Sequence, residues 1–167
     1  MASRRSQTDD RSAVDVSIVE LAPMQPMVGD PDDHRPNTSW GLIVDPGDAN
    51  GRVTSMAIIR EGIAAGDRIP LHTHDVDEAI TILDGEAEAR LGNERRRVGP
   101  GTTVFIPAGT PHGTLNVGET PVHIHAVFPA TTIEIAMLER NPAPGTEAEA
   151  PRRSRYDLST GDFEVID

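Results

Sequence analysis

Apolar and polar positions alternate in short bursts along this chain, and each burst ends at Gly, Pro, Asn or Asp. The clearest runs are Ala79 to Leu83, Glu86 to Leu91, Thr102 to Ile106, Gly113 to Val117 and Val122 to Phe128. The breaks between them include Asp84-Gly85, Gly92-Asn93, Gly99-Pro100-Gly101 and Gly118-Glu119. Side chains on a strand point to alternate faces, so bursts of period two bounded by turn residues predict strands. Val14 to Ile18 alternates and predicts an edge strand. Pro23 to Asn37 is rich in Pro, Asp and Gly and predicts a long loop. Ser39 to Val44 is a short apolar run, residues 45–51 form a turn, and Arg52 to Arg60 returns as a strand. Thr131 to Arg140 is the one helical candidate, with Ile135 and Leu138 on one face; a last strand is its alternative.

The predicted fold class is therefore all-β, an antiparallel sandwich or barrel. Residues 1–13 are polar and predict a disordered N-terminal arm. Residues 14–140 form the barrel domain. Residues 141–167 open with a linker rich in Pro, Ala, Glu and Arg, and the C-terminal segment from Tyr156 packs back on the barrel or on a partner subunit. No internal repeat is present.

Composition narrows the chemistry. The 167 residues suit one domain with its own core. With three Phe, one Trp and one Tyr, that core must be aliphatic. The formal charge of -12 argues against a nucleic-acid partner, which needs clustered cations. All basic residues are Arg, so Lys nucleophiles and Schiff bases are excluded. No Cys is present, which removes disulfides and thiolate ligands. No apolar stretch approaches a membrane span and none resembles a signal peptide, so a cytoplasmic location without a membrane partner is expected.

Four residues carry the candidate chemistry: His72, His74, Glu78 and His112. His72 and His74 share a strand face, Glu78 follows after a short bend, and Pro107-Ala108-Gly109 turns the chain to deliver His112. Three imidazoles and a carboxylate are a ligand set for one divalent transition ion: Fe, Mn, Ni, Co, Cu or Zn. Glycines 66, 85, 101 and 109 stand where tight turns need positive φ. Gly66, His72, His74, Glu78 and Gly85 reproduce the spacing of the first motif of the cupin superfamily. Gly101, Pro107, Gly109, His112 and Asn116 reproduce that of the second. The chain resembles that superfamily over roughly residues 52–130, with fifteen residues between the motifs. The resemblance implies a jelly-roll barrel of a single-domain cupin, with His72, His74, Glu78 and His112 as metal ligands in its mouth. It also implies a homodimer.

Other signals are weaker. His123 and His125 form a second His-X-His on a predicted strand. Either they line the pocket as catalytic acid/base groups, or they face outward and Ile124, Ala126 and Phe128 face in. Arg60 shares parity with Met56 and Ile58 and is either a carboxylate clamp or a surface residue. Asp75 and Asp77 either hydrogen-bond a ligand imidazole or serve the turn. Tyr156 stands outside the motifs, so lyases and epimerases that use a barrel Tyr lack a candidate unless the tail folds over the mouth. The leading functional expectation is a metal-dependent oxygenase acting on a small oxygenated or phenolic substrate that chelates the ion, with Glu78 as ligand and mobile base. The alternatives are a non-redox isomerase, decarboxylase or lyase, with His123 or His125 moving protons, and a cupin that binds a small ligand without turnover.

Overall fold

The computed structural model describes residues 23–44 and 53–167. The predicted arm, the edge strand at 14–18 and the turn at 45–51 lie outside the described residues. Among the described residues every regular element is a strand. Those of the first half are β1 (Gln25–Met27), β2 (Arg35–Ile43), β3 (Ala57–Ile63), β4 (Arg68–His74), β5 (Glu78–Asp84), β6 (Ala87–Leu91) and β7 (Glu94–Val98). Then follow β8 (Thr103–Ile106), β9 (His112–Asn116), β10 (Val122–Phe128), β11 (Thr132–Met137), β12 (Arg153–Asp157) and β13 (Asp162–Val165). They build two antiparallel sheets, in the orders β1-β2-β3-β10-β5-β8 and β13-β12-β11-β4-β9-β6-β7. Among the described residues no helix is long and apolar enough to cross a membrane.

Alternation sets the inner faces. On β10, Val122, Ile124, Ala126 and Phe128 are buried while His123 and His125 are half-buried. The core between the sheets is aliphatic, as expected: Ile63, Ile82, Ile106, Val122, Ile124 and Ile133 are fully enclosed. Phe128 is its one aromatic among the described residues. Burial of each such side chain contributes about 1.5–3 kcal/mol. The Arg-rich strand β7 lies at a sheet edge, where charge discourages pairing with another chain.

Two expectations are corrected. Thr131 to Arg140 is not a helix: β11 runs between β4 and β12, with Ile133 opposite Tyr156 and Met137 opposite His72. Its apolar residues Ile133, Ile135 and Met137 keep period two, which suits a sheet with both edges paired. The predicted loop over Pro23 to Asn37 holds β1 and the start of β2. The C-terminal segment packs back on the barrel, one of its two expected placements, within the same sheet as β11. β12 and β13 extend it, and residues 141–152 are pinned rather than free: the Asp32 carboxylate accepts from Arg140 Nε at 2.6 Å and from the Arg152 backbone N–H at 2.8 Å.

Tight turns position the site. Glycines 66, 85, 101 and 109 all have positive φ, as the spacing predicts. At Gly85 the need is double, since φ is 84° and a Cβ would stand 2.8 Å from the Pro121 carbonyl oxygen. Asn116 locks the loop after β9, donating to the carbonyls of Ile63 at 2.9 Å and Thr120 at 2.8 Å and accepting from the Gly118 N–H.

Candidate metal centre

His72 and His74 stand on the inner face of β4, and His112 opens β9 directly across from His72. A register shift between Ile69 and His72 re-aims β4 at this point. Glu78 opens β5 in the other sheet. Two contacts join the loops that carry these residues: the Gly109 N–H donates to the His74 carbonyl, and the Ala108 N–H to Asp77 Oδ1 at 2.9 Å. Asp75 likewise accepts a backbone N–H, that of Glu134. Asp75 and Asp77 thus serve the turns.

The four side chains converge and are buried, His112 to 1% exposure. One donor atom from each histidine lies within 4.8 Å of the others. Glu78 Oε2 stands 3.0 Å from Nε2 of both His74 and His112. Phe128 meets the His74 ring edge-on at 5.3 Å.

Each imidazole is oriented by the backbone. His72 Nδ1 lies 2.8 Å from the Pro70 carbonyl oxygen, His74 Nδ1 2.7 Å from that of Val76, and His112 Nδ1 2.8 Å from that of Thr110. A carbonyl only accepts, so each Nδ1 carries the proton and donates it. In the neutral ring Nε2 then bears the lone pair, and the Nε2 atoms face the cluster centre. His112 Nε2 is buried without a hydrogen-bond partner. Lone pairs gathered beside a carboxylate call for a cation among them, so the residues fit a divalent ion.

Protonation follows the same logic. Burial above all pushes the His72 imidazole down to about 3. Burial works against the Glu78 carboxylate, yet its close contacts with the His112 and His74 rings outweigh it and hold the group at about 2. Burial likewise opposes protonation of His74, and its hydrogen bond with Glu78 outweighs that, raising its pKa.

A cavity of about 190 Å³ opens beside the cluster, lined by His72, Glu78 and His112. His123 and His125 do not line it. They share the outer face of β10 with Val127, while Ile124, Ala126 and Phe128 take the cavity side. Of the two expected placements, they take the outward one. Arg60 pairs across the sheet with His125 on that same outer face, so it is no clamp for a ligand in the cavity.

Residues outside the metal motifs fill much of the rest of the lining. Trp40, Glu61, Arg35, Asp30 and Tyr156 all border the cavity. Tyr156 arrives because β12 folds back beside β11, and its hydroxyl donates to Asp30 Oδ2. Arg35 Nε donates to Asp33 Oδ1 at 2.7 Å, and its Nη1 pairs with Glu61. The signal for Glu61 was parity: it shares the face of Ile59 and Ile63, not that of Arg60.

Residues 59–128 match the family model for a cupin domain. This stretch is a cupin domain by that match. Part of this chain is 45% identical over 67 residues to a quercetin 2,3-dioxygenase from Bacillus subtilis, covering 38% of this chain and 20% of that one. Another match, to a dimethylsulfoniopropionate lyase from Ruegeria pomeroyi, is 49% identical over 51 residues, 30% of this chain and 25% of the relative. The chain thus spans about a fifth and a quarter of these two curated relatives. The crystal structure of a sugar phosphate isomerase of the cupin superfamily from Silicibacter pomeroyi shares the fold, with a TM-score of 0.62 at 17% identity over 91% of this chain and 93% of that one.

Proposed function

We propose that this cupin is a metal-dependent oxygenase acting on a small oxygenated or phenolic molecule that chelates the ion. The observation that carries it is the set of Nε2 atoms, their tautomers set by backbone carbonyls, facing Glu78 at the wall of a largely apolar cavity. Support comes from the match to a quercetin 2,3-dioxygenase. His72, His74, Glu78 and His112 would hold the ion. When bound, it supplies Lewis acidity and, for a redox-active metal, one-electron chemistry at open coordination positions. Trp40, Leu42, Ile59 and Phe128 exclude water and give the substrate an apolar seat. Glu78 is placed to take a proton at Oε2 from an entering hydroxyl. The reading includes a cytoplasmic homodimer that takes a small-molecule substrate and neither nucleic acid nor membrane as partner.

Elemental analysis of chelator-free protein, beside the His112→Ala variant, tests the ligands. One equivalent of metal, lost in the variant, is expected. Oxygen uptake with phenolic and diketone substrates tests the reaction. Full metal occupancy in His112→Ala, or turnover without oxygen consumption, would refute the respective half.

Tyr156 favours a second reading, a non-redox isomerase, decarboxylase or lyase. The Tyr156 hydroxyl and Asp30 form a proton-carrying pair on the cavity wall, and a lyase is among the relatives matched. Anaerobic turnover with zinc or nickel, abolished in Tyr156→Phe, is its expected signature.

A further inference from the structure

Four carboxylates line the cavity, those of Asp30, Asp33, Glu61 and Glu78, against one guanidinium, that of Arg35. Arg35 is already paired with two of these acids. Its Nε and Nη2 hold both oxygens of Asp33 at 2.7 and 2.6 Å, and its Nη1 holds Glu61. The planar fork that would otherwise grip a carboxylate or phosphate is therefore already closed. Arg140 and Arg152 are bound to Asp32 and do not border the cavity. Arg60 stands on the outer face of its sheet. Among the described residues, no arginine lining the cavity is left for a ligand anion.

An independent observation shows that the cavity is built to receive a ligand. His112, 1% exposed, lines it, and the buried Nε2 has only the Glu78 carboxylate beside it, at 3.0 Å. The walls between the histidines and the acids are apolar, formed by side chains such as Trp40, Leu42, Ile124 and Phe128. Charges facing each other across such walls interact several times more strongly than in water.

We infer that the cavity takes a chelating molecule whose remainder is neutral or cationic and turns away one bearing a second anionic group. This deepens the proposed function and rests on it. The chelating head sits at the histidines and Glu78. The remainder meets Asp30, Glu61 and the Arg35 pair. Carboxylate oxygens accept there, and Tyr156 already spends its proton on Asp30. An ammonium or hydroxyl donor finds partners on that wall. An added carboxylate or phosphate finds like charge and no free guanidinium.

The test uses zinc-loaded protein and three catechols that share one head: dopamine, 4-methylcatechol and 3,4-dihydroxyphenylacetate. Calorimetry should give dopamine the lowest dissociation constant and the carboxylate one at least about tenfold higher. The gap should narrow in Asp30→Asn, which keeps an acceptor for Tyr156, and in Glu61→Gln. Equal or tighter binding of the carboxylate overturns the inference. So does a gap unchanged in both variants, or no binding of any catechol by the loaded protein. Zinc uptake is measured first. Failure to load refutes the metal reading itself, and the charge preference is then read on unloaded protein with phenethylammonium, 2-phenylethanol and 3-phenylpropionate. The same order supports the inference there, and its absence overturns it.

Discussion

Asp32→Ala should loosen the cavity wall that the last strands of the chain build. Asp32 is 2% exposed and accepts from Arg140 Nε at 2.6 Å and from Arg152 Nη2 at 2.9 Å. These contacts tie the loop before β2 to both ends of the segment between β11 and β12. Removing one side of a buried ion pair costs about 3–5 kcal/mol, because the other charge stays behind. Arg140 keeps the carbonyl oxygens of Pro31, Thr146 and Glu149. Arg152 is partly exposed and retains Glu149, so solvent screens its share. The expected loss is therefore at the lower end, about 3 kcal/mol. With a urea slope of about 2 kcal/mol/M, the unfolding midpoint falls by about 1.5 M. The pH dependence has a definite sign. Burial works against the Asp32 carboxylate, but the Arg152 and Arg140 hydrogen bonds outweigh it and hold the group below its usual 3.8. A depressed folded-state pKa gives stability that is complete above the unfolded value and lost as pH falls through the folded one. The midpoint gap between wild type and variant should thus be constant from neutrality to about pH 5 and close below about pH 4. Urea melts followed by circular dichroism read both numbers, and hydrogen exchange should quicken over residues 153–165. A midpoint shift under about 0.3 M, or a gap that widens in acid, refutes the reasoning.

Other perturbations follow from the same geometry. Gly85→Ala forces a Cβ to within 2.8 Å of the Pro121 carbonyl at a φ of 84°, and thermal melts should show a loss of about 2–3 kcal/mol. Asn116→Ala abandons the carbonyls of Ile63 and Thr120 and the Gly118 N–H, and should lower stability by about 3 kcal/mol in urea titration. His123→Ala and His125→Ala should leave zinc stoichiometry unchanged and catechol affinity within about twofold, since both side chains lie outside the cavity; a larger change would place them in the site.

The strands that carry the motifs were legible because their apolar residues alternate and end at Gly or Pro, as in β5 and β10. The segment Thr131 to Arg140 was harder. Ile135 and Leu138 stand three apart and suggest a helix, while Ile133, Ile135 and Met137 alternate. Pairing with β4 and β12 decided between two periods that coexist in one short segment. The metal-site candidates were legible from spacing, since His-X-His on a strand fixes a common face. The acids opposite them were not. Glu61 and Asp30 were given no role before β2 and β12 close the cavity around them, and a charged residue on an inner face leaves no apolar signature. His123 and His125 show the converse. Their residue type suggested function, while the alternation around them assigned the inner face to Ile124, Ala126 and Phe128.

The carbonyls that orient the three imidazoles have a consequence for how such a site changes over generations. Pro70, Val76 and Thr110 contribute only main-chain oxygens, each two residues from the ring it holds. Ring direction is therefore written into the path of the chain, and replacing the side chains at positions 76 and 110 leaves it unaltered. Much of the cavity wall comes from other strands, β2, β3, β10 and β11, and from the β12–β13 hairpin. Drift in those walls can exchange one guest molecule for another without retuning the nitrogen lone pairs. The grip and the taste of the barrel are separately inheritable.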